Sequence, residues 1–158
     1  MLKQRSDTFV TLFIDFYGIS SPKEWPGLIL AKSATTAREK SAIFNEHTYN
    51  AINEEFSEYR PQKRFIPYVA MHEFEAMLFS SPEILAKKLG VEPKVIHDIL
   101  QQSQEPEGIN DSSQTSPSHR LEKLCKRFKK ITTGIAIAEQ IGIDTIRSKC
   151  PIFNEWLK

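Results

Sequence analysis

The sequence predicts a single α/β domain, with a small parallel sheet in its first half and a mostly helical second half. Three observations predict this. Thr8-Phe9-Val10-Thr11-Leu12-Phe13-Ile14-Asp15 is β-branched and apolar on both faces, the pattern of a strand buried in a parallel sheet. A helical repeat follows it, and then a second apolar run, Arg64-Phe65-Ile66-Pro67-Tyr68-Val69-Ala70. Strand, helix and strand at this spacing make a crossover unit with parallel strands. Beyond Ala70 the chain reads as mostly helical.

The 158 residues suit one domain and are enough to bury one sizeable core, an α/β part over 8–80 and a helical part over 82–158. Hydrophobic residues at 40% and charged residues at 26% are ordinary globular usage and exclude whole-chain disorder. The net charge of +1 means that attraction to nucleic acid or to a membrane surface must come from local patches. Cys125 and Cys150 lie far apart and match no metal-ligand spacing, as expected for reduced thiols of a cytoplasmic protein. The first seven residues, Met1-Leu2-Lys3-Gln4-Arg5-Ser6-Asp7, lack the apolar run of a signal peptide. No apolar stretch reaches the roughly 18 residues of a membrane span.

The first strand ends at Asp15, ahead of Phe16-Tyr17-Gly18. Pro22, Trp25, Pro26 and Gly27 then mark an irregular loop. Thr36-Ala37-Arg38-Glu39 fits a capping box. Phe44, His47, Ala51, Ile52 and Phe56 recur at helical spacing, so the helix runs to about Glu55. Pro67 removes a ladder donor and places the second strand at an edge. A short helix is expected over 72–79, and Pro82 opens another that closes at Gly90. A third covers 93–104. The polar stretch 105–117 is the longest loop. Ser116 as N-cap and Pro117 at the first helical position open the next helix, with Leu121, Leu124, Cys125 and Phe128 as its apolar stripe. A small apolar stretch over 133–140 closes at Gly142, and a last helix around 144–149 stops at Pro151.

Two acidic clusters stand at strand ends. Ligands of open α/β sheets bind beyond the carboxyl ends of strands, and a carboxylate there suits a hard cation such as Mg²⁺. Asp15 occupies such a position, although it could equally cap the turn that follows. After the second strand come Met71-His72-Glu73-Phe74-Glu75. If a helix begins near His72, then His72 and Glu75 share a face. Acidic residues also favour helix N-termini because they offset the dipole. The apolar flank of Phe74, Met77, Leu78 and Phe79 tips the balance towards ligands, since a carboxylate in an apolar setting needs a partner or a cation. Asn110-Asp111 and Ser118-His119-Arg120 frame the long loop and read as turn and cap residues. Arg120, Lys123, Lys126, Arg127, Lys129 and Lys130 concentrate basic charge on the helix face opposite Leu121 and Phe128. Such a face grips a nucleic-acid backbone or is simply solvated.

A set of blocks in fixed order resembles the bacterial family known as domain of unknown function 4276. They are Asp15-Phe16-Tyr17-Gly18, Arg64-Phe65-Ile66-Pro67-Tyr68, His72-Glu73-Phe74-Glu75-Ala76-Met77-Leu78-Phe79-Ser80, Glu107-Gly108-Ile109-Asn110-Asp111, Thr115-Ser116-Pro117-Ser118-His119-Arg120, Gly134, and Cys150-Pro151-Ile152-Phe153-Asn154-Glu155-Trp156-Leu157. The resemblance implies a Toprim-like (Rossmann-like) fold and Mg²⁺- or Mn²⁺-dependent phosphodiester chemistry. The implied setting is a phage-defence system in which the protein is paired with an ATPase.

Under the resemblance Asp15 stands for the first acid of the Toprim Asp-x-Asp motif and Glu75 for the acid after the next strand. Glu73 joins them as a metal ligand and His72 as a further catalytic group. Arg120, Lys123, Arg127 and Lys130 would hold nucleic acid. Two departures accompany it. Tyr17 replaces the second acid of Asp-x-Asp. The family's opening strand and Glu-bearing turn would precede Met1, so an N-terminally shortened reading frame is expected. The competing expectation is a non-catalytic subunit that docks on the ATPase.

Overall fold

A computed structural model describes residues 1–19, 25–109 and 115–158. Pro22 of the early loop and Asn110-Asp111 of the later one lie outside these residues. The chain is mixed α/β, mostly helical, with a small parallel sheet. It forms two compact units, Met1–Met71 and His72–Lys158.

In the first unit β1 (Val10–Asp15) and β2 (Phe65–Ala70) pair in parallel, with Val10 opposite Phe65 and Asp15 opposite Ala70. The helices α1 (Leu28–Ser33) and α2 (Ala37–Glu55) lie between them in sequence, so the expected crossover is present. α2 begins with the expected capping box. Thr36 Oγ1 accepts the Glu39 N–H at 3.2 Å, and Glu39 Oε2 accepts the Thr36 N–H at 3.0 Å. Phe44 of α2 meets Phe16 edge-on with ring centres 5.8 Å apart, and Trp25 stacks on its other side at 5.7 Å. The Trp25 indole donates to Thr48 Oγ1 at 3.1 Å. Gly27 has φ 74°, and a Cβ there would come within 2.5 Å of His47 Cβ, so only glycine allows this approach to α2.

The expectation that β1 is buried on both faces is corrected. Its residues alternate half-buried and exposed; Phe13 is 43% exposed, and Phe9, just ahead of the strand, is 70% exposed. The physical reason lies in the pleat. Thr11 and Phe13 share a face with their register partners Ile66 and Tyr68, and of these only Tyr68 is buried. Just before β2, the Arg64 guanidinium donates to four carbonyls, those of Leu2, Arg5, Thr8 and Tyr59. It ties the segment ahead of β1 to the turns that lead into β2.

The second unit is organised around a 3-10 segment, Phe74–Ser80, where the sequence suggested a helix starting near His72. Glu75 through Ser80 are all buried. Around it stand α3 (Pro82–Leu89), α5 (Pro117–Leu124), α6 (Ile135–Ile141) and α7 (Ile143–Lys149), while α4 (Pro93–Ser103) packs on α3. α3 closes at Gly90 with φ 73°, as expected. α5 is shorter than expected. It ends at Leu124 because Cys125 turns extended, so Phe128 is buried but lies off the helix.

Pro151 opens a further helix, α8 (Pro151–Trp156), instead of ending the preceding one. The cause is Glu107, a buried carboxylate from a distant turn. It accepts the Ile152 N–H at 2.8 Å and the Phe153 N–H at 2.9 Å. These are first-turn donors with no partner within their own helix, and proline at the first helical position needs none. Cys150, beside them, is buried with its sulfur 3.3 Å from Ser80 Oγ, and burial pushes its thiol up to about 12.

Burial pushes the Glu107 carboxyl up to about 7, against the two N–H groups, which favour the charged form. A raised acid adds stability fully below its ordinary 4.5 and loses it as pH rises through about 7. The expected outcome is a carboxyl carbon resonance of Glu107 that titrates near 7 in ¹³C NMR; a midpoint at the ordinary 4.5 contradicts the assignment.

Candidate functional site

The 3-10 segment fixes the candidate site. Glu73 stands at its N-cap position and Glu75 in its first turn. Glu73 does not cap its own segment. Its Oε2 instead accepts the Ser118 N–H at 2.8 Å, in the first turn of α5. Its Oε1 accepts from Lys130 Nζ at 3.1 Å, and the same ammonium lies 3.6 Å from Glu75 Oε1. Two carboxylates thus converge on one cation. Lys130 opens a π-helical turn, Lys130–Gly134, a rare geometry that often marks functional positions.

The three side chains differ in exposure: 6% for Glu75, 28% for Glu73 and 48% for Lys130. Their titration follows from this. Burial raises the Glu75 carboxyl above its ordinary range, its own N–H and the Lys130 charge offset part of the rise, and the Glu73 charge adds to it. Burial also acts to raise Glu73, but the Ser118 hydroxyl and N–H together with Lys130 outweigh it and hold Glu73 low. For Lys130, burial favours the neutral form, yet the two glutamates outweigh it and raise the ammonium. The cluster is therefore a Glu73–Lys130 ion pair beside a second carboxyl, Glu75, whose burial favours its protonated form.

The remaining expected residues fall elsewhere. Asp15 is exposed at the end of β1, in the first unit, and its side chain does not cap the turn Phe16–Gly18. Capping therefore does not explain it. His72 is buried and lies before the 3-10 segment begins, so it shares no helix face with Glu75. The single basic helix is corrected too. Arg120 and Lys123 lie on α5, Arg127 lies in the turn beyond it, and Lys130 begins the π turn. The extended Cys125 breaks the face that would have carried them together. Arg120 Nε donates to the Thr115 carbonyl at 2.8 Å, which ties it to its own helix start. Within each unit, the described residues include no group of three or more His, Cys, Asp or Glu placed to hold a metal ion.

Sequence reasoning missed the Ser118 N–H and the role of Lys130. A helix-opening Ser116-Pro117 was legible, and it puts a backbone donor at Ser118. No spacing rule links Lys130 to a glutamate 57 positions away.

Fold and site together define a small mixed α/β protein with a lysine-bridged carboxylate pair in its helical unit. The chain belongs to the family described as Domain of unknown function (DUF4276), whose model matches residues 1–158, the whole chain. No curated protein and no solved structure matches it.

Lys130→Met removes the shared cation and leaves Glu75 uncompensated. Breaking a fully buried pair costs about 3–5 kcal/mol, and the half-exposed lysine reduces this to about 1–2 kcal/mol at pH 7. The sign follows from the glutamates. Glu73, held low, contributes stability above 4.5 that is lost as pH falls through its folded value, so the deficit of the variant narrows on acidification. Urea denaturation at neutral and mildly acidic pH measures this; an unchanged deficit would contradict the ion-pair account.

Proposed function

We propose that the chain is a Toprim-like protein that acts on phosphodiester bonds with Mg²⁺ or Mn²⁺, using Glu73 and Glu75 as metal-holding carboxylates. One observation carries this reading: both carboxylates reach a single cation position, taken here by Lys130 Nζ at 3.1 and 3.6 Å. The donor set fits. Mg²⁺ prefers hard oxygens and is commonly held by one or two carboxylates plus water. Bound there, the metal supplies polarisation of a phosphate oxygen and a more acidic water.

The protein groups have separate tasks. The Ser118 N–H fixes the orientation of the Glu73 carboxylate. Glu75, raised by burial, holds a proton more readily than an ordinary glutamate, which suits it to proton transfer. Lys130 has a long flexible stem and can turn from the carboxylates to a substrate phosphate. The family resemblance adds Asp15 as a further acid and His72 as a further catalytic group. Pairing with an ATPase in a phage-defence system is the setting it implies.

A second reading is a non-catalytic subunit that docks on the ATPase. The exposed Phe13 and Ile66 on one sheet face, with exposed Phe9 just ahead of β1, favour it, because gathered apolar residues mark interaction surfaces.

The test incubates the chain with DNA and with RNA, with and without Mg²⁺ or Mn²⁺. Cleavage that depends on the metal and falls at least about a hundredfold in Glu73→Gln, Glu75→Gln and Asp15→Asn is expected. Cleavage that survives the Glu73→Gln/Glu75→Gln double variant contradicts the proposal. No cleavage of either substrate, with tight binding to the ATPase, favours the docking subunit.

A further inference from the structure

The first unit holds a cleft of about 570 Å³, lined by residues 2–6 on one side and by Glu58, Tyr59, Arg60, Lys63 and Arg64 on the other. Its size lies within the about 300–1,000 Å³ typical of small-ligand sites. Five of the lining residues are basic, Lys3, Arg5, Arg60, Lys63 and Arg64, and only Glu58 is acidic. In a chain whose net charge is +1, that is a local concentration of positive charge.

The five cations are not equivalent. Arg64 is spent on the four carbonyls that hold the walls together. Arg5 is held by Asp7 through two bonds of 3.1 Å. Lys3 Nζ rests over the rings of Phe56 and Tyr59, 5.4 and 5.7 Å from their centres, contacts that place the ammonium and leave its charge available. Arg60 and Lys63 are exposed.

Arg60 also has the left-handed backbone, φ 51° and ψ 51°. Its N–H donates to the Ser57 carbonyl and its carbonyl accepts from the Lys63 N–H, so it joins two 3-10 turns, Ser57–Tyr59 and Pro61–Lys63. Glycine serves such a corner without cost, and a bulky side chain there is strained. Strain of this kind gathers at binding positions, where the surrounding structure maintains it. Here it projects a guanidinium from a corner that lines a cationic cleft.

We propose that this cleft is an anion site for the phosphates of a nucleotide or of a nucleic-acid strand, with Lys3, Arg60 and Lys63 as its ligands. Arg64 is the positioning residue that keeps the walls in register. The site needs no metal and none of the groups of the carboxylate cluster, so the two readings stand or fall separately.

Calorimetric titration of the full chain at low salt, with chelator present, tests it. The probes are tripolyphosphate, ATP and a short single-stranded oligonucleotide. Arg60→Gly and Lys63→Ala are each expected to weaken binding about tenfold, one charge-assisted contact each. Glu58→Gln is expected to tighten it. The charge-matched Lys87→Ala/Lys88→Ala variant on α3 is expected to bind as the parent does. Arg60→Gly relieves the left-handed strain, so its Tm is expected to rise while its affinity falls, a divergence that a purely structural role does not produce. Tighter binding of ATP and tripolyphosphate identifies a free nucleotide as the source. Tighter binding of the oligonucleotide, with affinity falling log-linearly in salt, identifies a strand. The proposal is overturned if none of the probes binds, if binding survives the Arg60→Gly/Lys63→Ala double variant, or if Lys87→Ala/Lys88→Ala weakens it equally.

Discussion

Two carboxylates partly withdrawn from water need a cation or a shared proton to stand side by side, and the second unit supplies a cation. Glu75 belongs to the buried 3-10 segment, so its carboxylate is placed by the core and has little freedom to seek solvent. Glu73 is held by the first turn of α5, where a helix N-terminus favours negative charge. Lys130 closes the arrangement from the π turn. Three elements far apart in sequence are thereby fixed around one charge balance. The proposed metal role rests on this arrangement, with two carboxylates meeting at the position that the Lys130 ammonium takes.

A related economy appears at Glu107, where one buried carboxylate satisfies two N–H groups of α8. In the first unit the signs reverse. There a guanidinium, Arg64, gathers carbonyls and leaves neighbouring cations facing a cleft. The unit with the acidic cluster and the unit with the basic cleft thus use ionised groups for opposite purposes. One gathers two carboxylates around a lysine, and the other lines a cleft with basic side chains.

The local signals were legible. The capping box at Thr36, the proline-opened helices and the parallel crossover all follow from pattern and spacing, because each depends on residues within a turn or two. What failed depended on long-range partners. The helix expected from His72 became a 3-10 segment because its apolar residues are buried all round, which a helical periodicity cannot express. Pro151 read as a stop because Glu107, which caps the helix it begins, is 45 positions away from Ile152. The basic stretch read as one helix because nothing local announces the extended Cys125. At the site, Glu73 and Glu75 were legible as acids after a strand, whereas their shared lysine was read as a nucleic-acid contact. The basic cleft was not legible, since Lys3, Arg60 and Lys63 form no run in the sequence.

The account rests on Glu73 and Glu75 offering one shared cation site, and manganese broadening tests this most directly. With glutamate side-chain carboxyls labelled with ¹³C, substoichiometric Mn²⁺ added to the full chain is expected to broaden the resonances of Glu73 and Glu75 first and together. Excess Mg²⁺ is expected to restore them. Broadening that begins at exposed glutamates such as Glu46 or Glu54, with Glu73 and Glu75 sharp throughout, would contradict it.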